Sequence, residues 1–183
     1  MSPNRINIRE DIVHVISRRA YVTLSQHGYR VLTTKKMVIL DLDARNNITP
    51  DTIVNNFIHI WEGNGIEARI YRTANGVRVF LMHYNIGRNF SHALKEIMRI
   101  VPHCDPLYMD MCANQLCFRA RLDTKPHRTN NISIACNESN GYAVTRFITA
   151  LNICQGPFRF DDDDIIQYHD LITNANNADA ELQ

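Results

Sequence analysis

The spacing of apolar residues changes several times along the chain, and each change marks an element. Ile8, Ile12, Val15 and Ile16 recur at helical spacing, which predicts a helix over 7–19. The stretch AYVTLSQHGYRVLTT alternates and predicts a short hairpin turning near His27-Gly28. KKMVILDLDA is a short apolar run rich in β-branched residues, the pattern of a central strand. Thr49-Pro50-Asp51 supplies a cap, a proline suited to the first helical position and an acid beside it. Ile53, Val54, Phe57, Ile58 and Trp61 carry that helix to a stop at Gly63-Asn64-Gly65. IEARIYRT and VRVFLMHY alternate on either side of Ala74-Asn75-Gly76, a hairpin signature.

A second helix over NFSHALKEIMRIV gathers Phe90, Leu94, Ile97, Met98 and Val101, and Pro102 ends it. DPLYMDMCANQ has room for one or two helical turns, and LCFRARL reads as a fourth strand. After Lys125-Pro126 the chain is looser through Asn140. GYAVTRFITALNIC and DDDDIIQYHDLITNA predict two further helices, the second with an acidic first turn that suits the helix dipole. The tail is expected to fray from Asn174.

The order β-α-β-β-α-β predicts an α+β fold with a ferredoxin-like or RRM-like core over 36–122. One domain of 183 residues would then consist of an N-terminal helix-hairpin extension (1–35), that core, a C-terminal helical extension (123–174) and a frayed tail (175–183). Strand parity divides the core sheet into two faces. Val38, Leu40, Leu42, Ala68, Ile70, Val77, Val79, Leu81, Phe118, Ala120 and Leu122 make an apolar face for the two helices. The other face carries Ile39, Asp41, Asp43, Arg69, Tyr71, Arg78, Phe80, Arg119 and Arg121. Rings there can stack on bases and guanidinium forks can hold phosphate. Asp41 and Asp43 point the same way from one strand and can share a hard divalent cation such as Mg²⁺ or Mn²⁺. The same pattern also fits a solvated face on which the aspartates pair with Arg119 and Arg121 across strands. A third arrangement has the terminal extensions cover the face and make the charges an internal network.

Charge narrows these readings only locally. The formal net charge is +1, so no global electrostatic signature of a nucleic-acid binder is present. Arginines are concentrated over 66–128, and Arg119, Arg121, Lys125, His127 and Arg128 form the densest basic stretch. Arg69, Arg72 and Arg78 add to it from two other strands. The five cysteines, Cys104, Cys112, Cys117, Cys136 and Cys154, lack a disulfide-scaffold spacing. The chain begins without a secretory h-region and has no apolar run long enough to span a bilayer, so a reducing cytoplasm is the expected compartment and no membrane partner is expected.

A hydrophobic strand ending in Asp41-x-Asp43, followed by a hairpin and then by Arg119-x-Arg121…Lys125, resembles the catalytic core of archaeo-eukaryotic-type primases over about residues 36–128. The resemblance implies metal at Asp41 and Asp43 and nucleotide phosphates at Arg119, Arg121 and Lys125. It also implies a histidine on the hairpin, for which His83 is the nearest match, and a third acid, for which Asp105, Asp110 and Asp123 all stand as candidates. IYRTANGVRV, DPLY, CFRARLDTKPHR and the late His169-Asp170 are similar to a group of uncharacterised bacterial and phage proteins, a likeness that implies no mechanism.

Other constellations are weaker. His103, Cys104, Cys112 and Cys117 lack the paired spacing of a zinc site. Asp161–Asp164 lacks the alternating ligands of a calcium loop. A lone His169-Asp170 inside a helix is weak evidence for a metal phosphohydrolase, and His169 reads as a surface or packing residue. Three functions follow: a metal-dependent, primase-like nucleotidyltransferase; a non-catalytic module that binds single-stranded nucleic acid; and a structural or regulatory protein whose sheet docks a partner. In the first two, Tyr71 or Phe80 stacks a base, while Arg69, Arg72, Arg78, Arg119, Arg121, Lys125, His127 and Arg128 hold phosphate.

Overall fold

The computed structural model describes residues 11–82, 84, 86–125, 141–152 and 162–183. The fold is α+β, with two four-stranded antiparallel sheets, a two-stranded parallel one and four helices among the described residues. No helix among them is long and apolar enough to cross a membrane.

The chain opens with β1 (Ile12–Ser17), β2 (Ala20–Leu24) and β3 (Arg30–Thr34), which pair in sequence order. The helix expected over 7–19 is therefore a strand where it is described. IVHVIS is dominated by β-branched residues, which pack better on a pleated surface than on a helix.

The second sheet begins with β4 (Val38–Asp43). The helix α1 (Pro50–Trp61) follows, with Thr49 accepting the Thr52 amide at 3.2 Å and Pro50 at its first position. Next come β5 (Glu67–Arg72) and β6 (Gly76–Met82), joined by the expected hairpin. β6 lies between β4 and β5 and is antiparallel to both, so β4 and β5 run parallel on its two sides. Gly76 is required at its position. It faces Asp43 in register, and a Cβ there would lie 2.1 Å from the Leu42 carbonyl oxygen.

α2 (Phe90–Ile100) and α3 (Pro106–Gln115) follow. The segment expected to make one or two turns is thus a ten-residue helix, capped by Asp105 through the Leu107 amide at 3.1 Å. β7 (Phe118–Arg121) approaches β4, but its hydrogen bonds go to β3. Arg30 and Asp123 reinforce that pairing with a two-pronged ion pair (2.7 and 2.9 Å), the Asp123 side chain being almost fully buried.

The region expected to form a helix over GYAVTRFITALNIC instead contains β8 (Tyr142–Ala143) and β9 (Arg146–Leu151). β9 satisfies the outer edge of β5, with Phe147 opposite Tyr71. Only α4 (Asp162–Thr173) remains of the expected C-terminal helices. The tail is tied down rather than frayed: the Phe147 amide donates to Ala175 O at 2.9 Å, and β10 (Glu181–Leu182) pairs with β8.

All eleven residues of the expected apolar face are buried, at 2% exposure or less. α1 and α2 contribute Ile53, Phe57, Trp61, Leu94 and Ile97 to the same core. The other face is divided. α4 lies over β5 and β6, and the His169 ring meets those of Tyr71 and Phe80 at 4.8 and 4.7 Å. Towards β4 that face opens.

Gly76→Ala should destabilise the protein by about 1–3 kcal/mol, the usual cost of forcing atoms into a packed region. Here the obstacle is a backbone carbonyl rather than a movable side chain. Urea denaturation of both proteins checks this, and an unchanged midpoint would show that β4 yields freely.

Candidate functional site

The edge of β4 that faces away from β6 carries the candidate site. The Asp43 amide donates to His103 O and the Asp105 amide to Asp41 O, both at 2.9 Å. These bonds flank the pair Leu42–Cys104, so residues 103–105 run antiparallel along β4. Asp105 then stands directly across from Asp41, and its side chain emerges on the same face. His103 takes a positive φ of 69° as the chain enters this pairing.

Asp41, Asp43 and Asp105 thereby offer three carboxylate oxygens within 4.8 Å of one another. Like charges so close repel unless a cation sits among them. Arg45 supplies one on the solvent side, 2.5 Å from Asp43 Oδ2 and 3.6 Å from Asp105 Oδ1. Its place is set by the turn Arg45–Ile48, closed by the Ile48 amide on Arg45 O at 3.0 Å. The central residues Asn46 and Asn47 both have positive φ, which asparagine tolerates. Asp43 Oδ2 is shielded from solvent, and its contact with Arg45 lacks hydrogen-bond geometry. Burial raises the pKa of Asp41; Arg78 opposes that shift, while Asp43 and Asp105 add to it.

A row of side chains crosses the sheet from this cluster. Asp105 neighbours Asp41, and Arg78, Tyr71 and Phe147 follow on successive strands. Arg78 is buried and contacts Arg121 O at 3.0 Å and His169 Nε2 at 3.2 Å. A guanidinium only donates, so His169 Nε2 must accept and Nδ1 must carry the proton. That proton points at Asp170 Oδ1, 2.9 Å away. Tyr71 also donates to this oxygen, at 2.6 Å, and Arg69 reaches Asp170 Oδ2 at 3.4 Å. Burial, as the main cause, lowers the His169 pKa to about 4, so the ring is neutral at pH 7.

A cleft of about 590 Å³ lies over the open half of the face. Asp41, Asp43, Asp105, Arg78, Arg119, Arg121 and Lys125 line it. The β2–β3 turn and α3 also contribute to its walls. Tyr108 holds β4 and β7 together here, donating to Ile39 O at 2.8 Å and accepting the Arg119 amide at 3.3 Å. Arg119 bonds Gln115 Oε1 at 3.3 Å, and Arg121 bonds Asp123 O.

The structure divides the site residues expected from sequence. Asp41, Asp43, Arg78, Arg119, Arg121 and Lys125 meet in the cleft. Tyr71 and Phe80 do not serve as stacking platforms: both rings are 0% exposed beneath α4, leaving no face for a base. Arg69 is tied to Asp170 and lies over the Phe147 ring at 4.5 Å, and Arg72 lies 3.9 Å from Asp51; neither lines the cleft. Of the candidate third acids, Asp105 joins the cluster, while Asp123 pairs with Arg30. His83, His127, Arg128, Cys136 and Cys154 lie outside the described residues. His103, Cys104, Cys112 and Cys117 form no metal-ligand group among the described residues. Sequence reasoning missed Arg45, although its place two residues after Asp43 was a signal, and it missed the dependence of Asp105 on strand pairing.

No protein-family model, curated protein or solved structure matches the chain.

The neutral buried histidine predicts a pH dependence. Between its ordinary value of 6.5 and its folded value of about 4, the unfolded chain binds the proton and the native protein does not. Stability contributed by neutral His169 is complete above pH 6.5 and is lost as pH falls towards 4, by roughly 2–3 kcal/mol. Asp41, whose pKa is raised, acts in the opposite direction and is common to both proteins in a variant comparison. Denaturation at pH 7.5 and 4.5 should therefore show a smaller loss for His169→Gln than for the parent. Equal losses would mean that His169 titrates normally.

Proposed function

We propose that this cleft binds the phosphates of a nucleotide or a nucleic acid through a divalent cation and performs metal-dependent phosphoryl chemistry of the nucleotidyltransferase kind. One observation carries the reading: three carboxylates from two chain segments converge in a cleft that also receives Arg119, Arg121 and Lys125. The donors fit a hard cation. All are carboxylate oxygens, and one is desolvated without a hydrogen bond. Oxygens bound to an octahedral ion at about 2.1 Å stand about 3–4 Å apart, which small side-chain movements would supply.

Asp41, Asp43 and Asp105 would hold Mg²⁺ or Mn²⁺, which supplies charge neutralisation and Lewis acidity at a phosphoryl oxygen. Arg119, Arg121 and Lys125 would orient the phosphates and stabilise charge developing on them. Arg78 is a positioning residue: it balances Asp41 from within the sheet and stays fixed because its contacts are buried. The strand order β4-β6-β5 and the crossover through α1 support a ferredoxin-like origin for this half of the molecule, its last strand transferred to the N-terminal sheet.

A metal-free module for single-stranded nucleic acid is the second reading. Arg45 favours it, because that guanidinium already offsets Asp43 and Asp105. Thermal denaturation with nucleoside triphosphates, Mn²⁺ and a short single-stranded oligonucleotide separates the two. Ligand at 100 times its Kd stabilises by about 2.7 kcal/mol, a readily measured rise in Tm. The first reading requires a triphosphate shift that depends on Mn²⁺ and disappears in Asp41→Asn/Asp43→Asn and in Asp105→Asn. A shift from the oligonucleotide alone, retained in those variants, would replace it with the second.

Arg45→Ala should tighten Mn²⁺ binding about two- to fivefold, the range for breaking a largely exposed ion pair that competes with the metal. Calorimetric Mn²⁺ titration reads this directly, and weaker binding in the variant would show that Arg45 supports the cation rather than competing with it.

A further inference from the structure

We propose that the β2–β3 turn and the cleft-facing side of α3 form a nucleobase subsite, with His27 and Tyr29 as stacking rings and Leu107 and Met111 as the apolar wall. This inference rests on the phosphate reading of the same cleft.

A nucleotide carries a polyanion and a flat, largely apolar ring system, so its site needs two adjoining surfaces of opposite character. Carboxylates and basic residues provide one in this cleft. The rings first expected to provide the other, Tyr71 and Phe80, are sealed beneath α4. The cleft has a different aromatic surface. His27 and Tyr29 line it, their rings stacked with centroids 6.3 Å apart and planes 21° from parallel.

Hydrogen bonds hold the backbone of that turn, from which both rings project. Ser25 Oγ accepts the amides of both His27 and Tyr29 at 3.3 Å. The Ser25 amide donates to Tyr29 O at 2.8 Å, and the Gly28 amide to Ser25 O at 2.9 Å. Gly28 stands between the rings at φ 83°, a conformation that glycine adopts without strain. Little backbone ordering of the turn would remain to be done when a ligand arrives.

α3 supplies the other surface. Leu107 and Met111 are four residues apart and share one side of the helix. Both line the cleft, beginning two residues beyond Asp105. Leu107 is 76% exposed, the highest value among the exposed large hydrophobic residues that the structure describes. A lone exposed leucine needs no explanation. One placed inside a charged cleft, beside a second apolar side chain and sharing that cleft with two stacked rings, offers contact area to a planar ligand. Stacking of this kind tolerates every base because every base has a π-face, so the subsite should accept purines and pyrimidines alike.

Calorimetric titration with ATP, UTP and inorganic tripolyphosphate, each with Mn²⁺, tests the proposal on the parent, Leu107→Ala and Tyr29→Ala. Leu107 is exposed enough for its replacement to leave the fold intact, and Tm checks both variants. The parent should bind ATP and UTP about tenfold more tightly than tripolyphosphate, the contribution expected of base stacking. Each variant should lose most of that preference while binding tripolyphosphate as the parent does. Equal parental affinity for ATP and tripolyphosphate would overturn the subsite and leave the phosphate reading standing. A preference for ATP that both variants retain would place the base elsewhere and also overturn it. Loss of tripolyphosphate binding in the variants would show that these residues act through the charged surface, again against the proposal. If the parent binds none of the three ligands, the phosphate reading fails and the subsite fails with it.

Discussion

Backbone groups along the outer edge of β4 need partners between Asp41 and Asp43, where Leu42 is buried and the flanking aspartates are half-buried. Residues 103–105 meet that demand with two hydrogen bonds. Much of the surrounding architecture depends on this small pairing. It occupies the β4 edge between Asp41 and Asp43, while β7 bonds to β3. It places Asp105 opposite Asp41, which assembles the carboxylate cluster. It also fixes the start of α3, since Asp105 is the cap of that helix. The cleft lies where β4, α3, β7 and the β2–β3 turn meet, and the 103–105 pairing fixes two of these four elements directly.

Charge balance follows from the same geometry. Asp41 has an acid on one side and Arg78 on the other, in a row perpendicular to the strands. The acids and Arg78 all line the cleft, and Arg78 also meets His169 of α4. Burying Arg78 requires acceptors for its donors, and the Arg121 carbonyl and His169 Nε2 provide them. His169 can accept only while neutral, and its proton is committed to Asp170. The buried network therefore fixes the tautomer of a residue far from the carboxylates in sequence and holds α4 on the sheet.

Local signals in the chain were sufficient for much of the fold. The cap at Thr49-Pro50, the Asn75-Gly76 hairpin and the parity of β4 through β7 each depend on residues close in sequence, and each was readable. β9 was not, because Arg146–Leu151 becomes a strand by completing the edge of β5, a partner more than seventy positions away. Tyr71 and Phe80 were placed on the correct face, but what covers that face is set by α4, which alternation within a strand cannot register. Asp41 and Asp43 were visible as an i, i+2 pair, whereas Asp105 was one of three equivalent aspartates until strand pairing distinguished it.

Burial then sorts the polar residues that sequence could only group. Arg78 and Arg119 occupy equivalent parity positions on their strands and both line the cleft, yet Arg78 is buried among fixed partners and Arg119 is partly exposed. A buried guanidinium is held in one place and sets the potential felt by Asp41. A partly exposed guanidinium can reorient towards phosphate at the cost of weak, partly solvated contacts. The same division applies to the rings: Tyr71 and Phe80 stabilise the sheet because they are inaccessible, and His27 and Tyr29 are available because they are not. The carboxylates and the partly exposed basic residues meet beside the half of the β4–β6–β5 face that α4 leaves uncovered.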